Sequence, residues 1–154
     1  MTRLLPLALL FLFPAAAVAA DPPKAVAFEG KVQPLAAALK KLGAKPDADT
    51  DGVALVTAGG DVFTLVKDDA SRKLFLDPAL HDRDVRLTAV KLPGTQTLQV
   101  QKVQTVKDGK AFDVDYWCDQ CQLAAPQPGK CICCGSQVVL RELPAKTAET
   151  KPAK

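Results

Sequence analysis

The cysteines of this chain all fall between Tyr116 and Arg141, in the stretch YWCDQCQLAAPQPGKCICCGSQVVLR. Cys118 and Cys121 are separated by two residues, as are Cys131 and Cys134, and nine residues lie between the two pairs. Thiolates are soft anionic donors. Four of them, brought together as two Cys-x-x-Cys turns on a short hairpin, fit the tetrahedral all-sulfur site of a structural zinc ion. Two intervening residues suit a tight turn whose backbone N–H groups point back at the sulfurs. Gly135, directly after the last of the four, removes the Cβ where such a turn often needs a positive φ. The candidate ligands are therefore Cys118, Cys121, Cys131 and Cys134. Cys133 is a spare thiol that could substitute for Cys131 or Cys134.

The same sulfurs admit other chemistry. A disulfide framework suits an exported chain, but five cysteines leave one unpaired, and two-residue spacing closes only short, labile loops. Iron is a second metal for such a site, and copper(I) a third, because thiolates are soft and Cys133 adds a fifth. His81 is the single histidine, flanked by Leu80 and Asp82, and reads as a loop residue on the surface. With no serine elbow, phosphate-binding loop or histidine-rich zinc motif in the chain, hydrolytic and phosphoryl-transfer enzymes are set aside.

The second turn, Cys131-Ile132-Cys133-Cys134-Gly135, resembles the knuckle shared by zinc ribbons and rubredoxins. The first, Tyr116-Trp117-Cys118-Asp119-Gln120-Cys121, is similar to it, with Gln122 where a glycine is usual. The zinc-ribbon resemblance implies one zinc on four cysteines and a closing strand at Val138, Val139 and Leu140. The rubredoxin resemblance implies iron and electron transfer, although the interval between the pairs is much shorter here. Trp117-Cys118-Asp119-Gln120-Cys121 also resembles the Trp-Cys-x-x-Cys motif of thioredoxin-like oxidoreductases, where it opens a helix that lowers the first thiol's pKa. Here Pro126 and Pro128 follow closely, and the 33 residues after Cys121 leave no room for the elements that complete that fold. A ribbon this small cannot fold on its own apolar burial. Zinc would supply the deficit, at about 10–16 kcal/mol in small zinc peptides. Tyr116 and Trp117 stand next to the first ligand, either as a shield for the site or as core.

The elements that must position these turns are mostly strands. Val26, Phe28, Gly30 and Val32 alternate along one face of a strand over 25–33. Pro34 opens a short helix over 34–42, with Leu35, Ala38, Leu39 and Leu42 as its apolar stripe and Gly43 at its end. Asp47, Asp49 and Asp51 resemble the opening of an EF-hand calcium loop, but position twelve is Ala58 rather than glutamate, so a solvated loop is expected. Val53–Thr57 and Val62–Val66 flank Ala58-Gly59-Gly60-Asp61 as a hairpin. Residues 73–81 hold a short turn of helix limited by Pro78. Strands follow over 84–92, 97–106 and 111–117, and the apolar phase shifts between Val100 and Val103, which predicts a bulge. The pattern resembles an OB-like barrel over residues 25–107. Phe28, Phe63, Phe75 and Phe112 fall on apolar faces, so they read as core rather than as base-stacking rings.

Residues 1–20 carry Arg3, an apolar run over 4–18 and small residues before Asp21, the pattern of a cleavable secretory signal. That predicts a protein exported to the periplasm or secreted, with no membrane span after the signal is removed. The chain has 20 basic and 17 acidic residues, a net charge of +3, and losing Arg3 with the signal leaves +2. The charges are mixed along the sequence, so no nucleic-acid surface is expected. The expected organisation is a signal (1–20), an OB-like β domain (21–115), a four-cysteine zinc ribbon (116–143) and a disordered tail (144–154). The expected fold class is mostly β: a small OB-like curved sheet or barrel with one short helix, followed by the ribbon hairpin. The expected function is an exported, non-catalytic zinc module that interacts with a protein partner, with a redox or metal-handling protein as the alternative.

Overall fold

The computed structural model describes residues 24–145, so the signal segment and the tail beyond Ala145 lie outside the described residues. In chain order the elements are β1 (Val26–Pro34), α1 (Leu35–Lys41), β2 (Val53–Val56), β3 (Val62–Leu65), α2 (Arg72–Leu76), a 3-10 turn (Pro78–Leu80), β4 (Asp84–Lys91), β5 (Thr97–Lys107), β6 (Lys110–Cys118), β7 (Leu123–Ala125) and β8 (Val139–Pro144). The fold is mostly β. Among the described residues no helix is long and apolar enough to cross a membrane.

The first five strands close on themselves. β1 pairs antiparallel with both β2 and β4, β2 with β3, and β4 with β5. A short parallel pairing of Thr64 and Leu65 with Thr97 and Leu98 joins β3 to β5 and completes the ring. Closure removes the free edges that an open five-stranded sheet would expose. This ring-like closure agrees with the expected small curved sheet or barrel. The ring needs strong local curvature, and two devices supply it. In the β4–β5 ladder Thr88 pairs with Lys102 but Ala89 pairs with Val100, which leaves Gln101 as an extra residue. That bulge lies where the apolar phase shifts. At Gly30, where β1 passes from β4 to β2, an added Cβ would lie 2.3 Å from the Val56 carbonyl oxygen.

Alternation fills the interior. Val32, Leu55, Val85, Leu87 and Leu98 are fully buried, and Leu74 and Leu80 close over them from α2 and the 3-10 turn. Phe28 and Phe63 meet with ring centroids 5.4 Å apart at this core. α1 buries Ala38 and part-buries Leu35 and Leu39, but Leu42 lies just past the helix end and is 62% exposed. His81 reaches back to the carbonyl oxygen of Leu74, with Nε2 at 2.8 Å. Asp47 to Thr50 form a turn, closed by Thr50 N–H on the Asp47 carbonyl.

β6 carries the chain from the barrel to the cysteines. Residues 110–113 pair with the end of β5, and 112–117 pair with β8 on the opposite edge. Further along, 116–118 pair with β7 on the edge that β5 has vacated. Position 115/116, where the sequence suggests a domain boundary, lies inside this strand. Pro144 is the last residue of β8. Val114 belongs to the barrel core, and Leu140 packs against both that core and the cluster around the cysteines.

Candidate metal centre

Strand alternation decides what faces the cysteines. Cys118 ends β6 and shares a face with Tyr116, and both are buried at about 1% exposure. With Cys131 and Val138 they form a second apolar cluster, against which Cys121, Ala125 and Leu140 pack. Trp117 points to the other face of β6. There the Arg141 guanidinium lies 3.9 Å from its ring centroid and donates two hydrogen bonds to Asp115, of 2.9 and 2.7 Å. Tyr116 therefore lines the site, and Trp117 does not.

The two Cys-x-x-Cys segments fold into equivalent turns. Cys118 Sγ accepts from the backbone N–H groups of Cys121 and Gln120, and Cys131 Sγ from those of Cys134 and Cys133. In each turn these are the residues two and three positions on. The residue after the second cysteine adopts positive φ in both: +75° at Gly135 and +52° at Gln122. The missing glycine of the first turn thus does not change its shape, because Gln122 takes the left-handed conformation at some cost. Around the second turn, Gly135 N–H donates to the Cys131 carbonyl at 2.8 Å and Cys131 N–H to the Ser136 carbonyl at 2.7 Å.

These turns bring the Sγ atoms of Cys118, Cys121, Cys131 and Cys134 within 4.8 Å of one another. Cys118 Sγ and Cys134 Sγ are 3.5 Å apart, far beyond a disulfide bond of about 2.05 Å. All five cysteines are free thiols. Sulfurs at the corners of a tetrahedron around zinc, each about 2.3 Å from the ion, are separated by about 3.8 Å. The cluster therefore has the donor set and size of a four-thiolate metal site. Converging N–H groups offset the excess negative charge such a site carries.

The four thiols are not equivalent. Ser136 holds Cys134 down to about 6, first through its hydroxyl and then through its N–H. That hydroxyl also lies 2.9 Å from Gln120 Oε1, so it links the two turns. The N–H groups of Cys134 and Cys133 hold Cys131 below the usual thiol range, against burial. Cys121 is pushed well above that range, chiefly by hydrogen-bonding contact with the Cys133 and Cys134 sulfurs. Cys118 is raised as well: the Cys121 N–H favours its thiolate, but burial and the Cys131 and Cys134 sulfurs outweigh it. The second turn is thus where thiolate character concentrates in the absence of metal.

The site has a closed side and an open one. Cys118 and Cys131 face the Tyr116 cluster, whereas Cys133 and Cys134 are exposed and Ile132 is wholly exposed. The closed side is bolted to the barrel. Tyr116 Oη donates to Asp77 Oδ2 at 2.7 Å, while Asp77 Oδ1 caps the 3-10 turn through Ala79 N–H. Burial and this bond to Asp77 raise the tyrosine well above its ordinary pKa, so it stays a neutral donor. Lys73 Nζ donates to the Val114 carbonyl at 3.0 Å.

Each cysteine singled out as a ligand by spacing is brought into the cluster, and Cys133 lies beside it. Asp77, Ser136, Gln120 and Arg141 carry no local signal of their part in the arrangement. Asp77 meets Tyr116 from 39 positions away. Comparison with protein-family models, curated proteins and solved structures returns no match.

Proposed function

We propose that this chain is an exported, non-catalytic zinc-binding module, with zinc held by Cys118, Cys121, Cys131 and Cys134. The observation that carries this reading is the convergence of four free Sγ atoms within 4.8 Å, on two turns with matching N–H groups. The role of the ion is to fix the hairpin against the barrel edge. The rigid tip then presents Ile132, Leu123 and Val139, whose exposure suits contact with a protein partner. A redox or metal-handling role, with iron or copper in the same thiolates, is favoured by the exposure of Cys133 and Cys134.

The test is to purify the mature protein from the compartment to which it is exported, without added metal. Bound metals are measured by mass spectrometry, and thiols are titrated in denaturant with chelator. One zinc per chain with all five thiols recovered supports the module. Absence of metal together with at most one free thiol would sink it and leave a disulfide-stapled domain. Iron or copper in place of zinc moves electron transfer or metal handling to the front.

A further inference from the structure

β8 is paired on one side only. It runs antiparallel to β6, and among the described residues no strand lies along its opposite edge. The hydrogen-bond phase of the ladder decides which backbone groups that edge presents. Ala145 N–H donates to the Ala111 carbonyl, so the β8 residues that bond to β6 are the odd-numbered ones, in pairs such as Arg141 with Asp115. The N–H and C=O groups of Leu140 and Glu142, and the C=O of Pro144, therefore point away from β6. Val138 obeys the same phase, and its outward N–H is taken by the Gly129 carbonyl, next to the Lys130–Gln137 bridge. The edge is thus covered ahead of Leu140 and open from Leu140 to Pro144. An open edge is a template for a further strand.

The side chains beside it form a strip of alternate residues. Val139, Arg141 and Leu143 share the Trp117 face of the sheet, with Val139 61% and Leu143 40% exposed. Between them the Arg141 guanidinium is held by Asp115 through Nε and Nη2 and lies over the Trp117 ring. Its Nη1 has no hydrogen-bond partner among the described residues. On the other face Leu140 packs against both cores and Glu142 is bonded to Thr105 and Arg83, so the strand cannot turn to hide its edge.

We propose that β8 is the docking edge for an extended segment of a protein partner, which joins the sheet as a further strand with apolar side chains opposite Val139 and Leu143 and an acidic one opposite Arg141. This rests on the interaction role proposed above and gives it a place and a chemistry. Backbone pairing at Leu140 and Glu142 supplies affinity, and the strip supplies selectivity: two apolar contacts flank a carboxylate on the free Nη1 donors. Two other occupants fit less well. The chain beyond Ala145, Lys-Thr-Ala-Glu-Thr-Lys-Pro-Ala-Lys, has no large apolar residue to lay on Val139 and Leu143. A second β8 whose Leu140 pairs with Glu142 brings its Pro144 opposite Val138, where Gly129 already sits. The register that pairs Glu142 with itself sets two carboxylates together and places Pro144, which lacks an N–H, opposite Leu140.

The experiment uses the mature chain, with zinc measured on every sample, and the peptide acetyl-Lys-Thr-Val-Thr-Glu-Thr-Val-Thr-Lys-amide, whose side-chain pattern serves either strand direction. In an NMR titration the peptide is expected to shift the Leu140 and Glu142 amides and to slow their exchange with solvent. Leu143→Lys and Val139→Lys, at exposed positions on opposite ends of the strip, should each weaken binding at least tenfold. Ile132→Ser at the hairpin tip should leave it unchanged. Binding that survives both lysine variants, or that shifts the hairpin tip in place of Leu140 and Glu142, overturns the inference. So does no binding at about 1 mM peptide, or a dimer in sedimentation that Leu143→Lys dissociates. In zinc-containing samples each of these results leaves the metal reading intact, whereas a zinc-free chain that still takes the peptide along β8 overturns the metal reading alone.

Discussion

Gln122 and Gly135 occupy corresponding positions in the two cysteine turns, and the comparison isolates a backbone effect. Both have positive φ, and a Cβ at Gly135 would meet nothing within 4 Å. A side chain there costs conformational energy alone, about 1–2 kcal/mol for a non-glycine residue in the left-handed region. Glycine carries its own entropic penalty of roughly 0.5–1 kcal/mol, which offsets part of the gain from relieving that strain. Gln122→Gly should therefore stabilise the metal-loaded protein by about 0.5–1 kcal/mol in urea unfolding, and Gly135→Ala should destabilise it by about 1 kcal/mol. Equal and opposite behaviour of the two turns is the expected result. A destabilising Gln122→Gly would mean that the glutamine side chain contributes a contact outweighing its strain.

Glu142 tests the electrostatic side at the same scale. Its Oε1 accepts from the Thr105 hydroxyl at 2.7 Å and from Arg83 Nη1 at 3.2 Å, and its Oε2 is paired with Lys107. Burial acts to raise its pKa, but Lys107, Thr105 and Arg83 outweigh burial and hold the carboxyl below its ordinary value. A carboxylate whose folded pKa is depressed adds stability that is fully present above its unfolded pKa of about 4.3, and that is lost as pH falls through the folded value. Glu142→Gln should cost about 1–2 kcal/mol at pH 7, with the difference from wild type shrinking towards zero below about pH 4. Denaturation curves at pH 7, 5 and 3.5 measure it. A pH-independent difference would assign the effect to packing instead of charge.

Among the elements, β1 has the most demanding path, because it pairs with β4 over residues 26–31 and with β2 over 31–34. The turn from one partner to the other passes Gly30, where a Cβ would lie 2.3 Å from Val56 O and 2.8 Å from Val56 C. Both are backbone atoms, so no side-chain rotation can relieve the overlap. Gly30→Ala should cost at least about 2 kcal/mol, compared with about 1 kcal/mol or less for an alanine replacing an unconstrained strand glycine. An alanine variant with unchanged thermal stability would show that the β1–β2 corner yields easily. The order of the barrel strands, the β2–β3 hairpin and the β5 bulge were legible in sequence because each is a local signal: alternation, a Gly-Gly turn, a one-residue slip of phase, whereas the short β7 was not. The clustering of Cys118, Cys121, Cys131 and Cys134 was legible for the same reason, since two-residue spacing is a property of one turn. What spacing could not reveal was the parallel β3–β5 pairing, or the way β8 runs along β6 as far as Pro144. Those depend on residues more than 20 positions apart. Leu140 illustrates this, reading as part of a small closing strand yet joining two cores.

At the level of the whole molecule, the question is whether an ion held by the four cysteines would fix only the hairpin or the barrel too. β6 and β8 supply Cys118 and the approach to Cys134, but they also supply Val114 and Leu140 to the barrel wall and Glu142 to its edge. Tyr116 is anchored to Asp77 beneath the 3-10 turn, so loosening the cysteine cluster disturbs the helical cover of the barrel as well. Losing the hairpin would therefore expose barrel core, and the two parts should unfold together. Zinc at 100 times its dissociation constant adds about 2.7 kcal/mol to a state that alone binds it. For a chain of this size that corresponds to roughly 10 °C in Tm. Calorimetry of the zinc-loaded protein should give one transition with matching calorimetric and van't Hoff enthalpies, and chelation should move that single transition down by roughly 10 °C. Two transitions, with the upper one indifferent to chelator, would show instead that the barrel stands alone and that β6 can fray from it past Asp113.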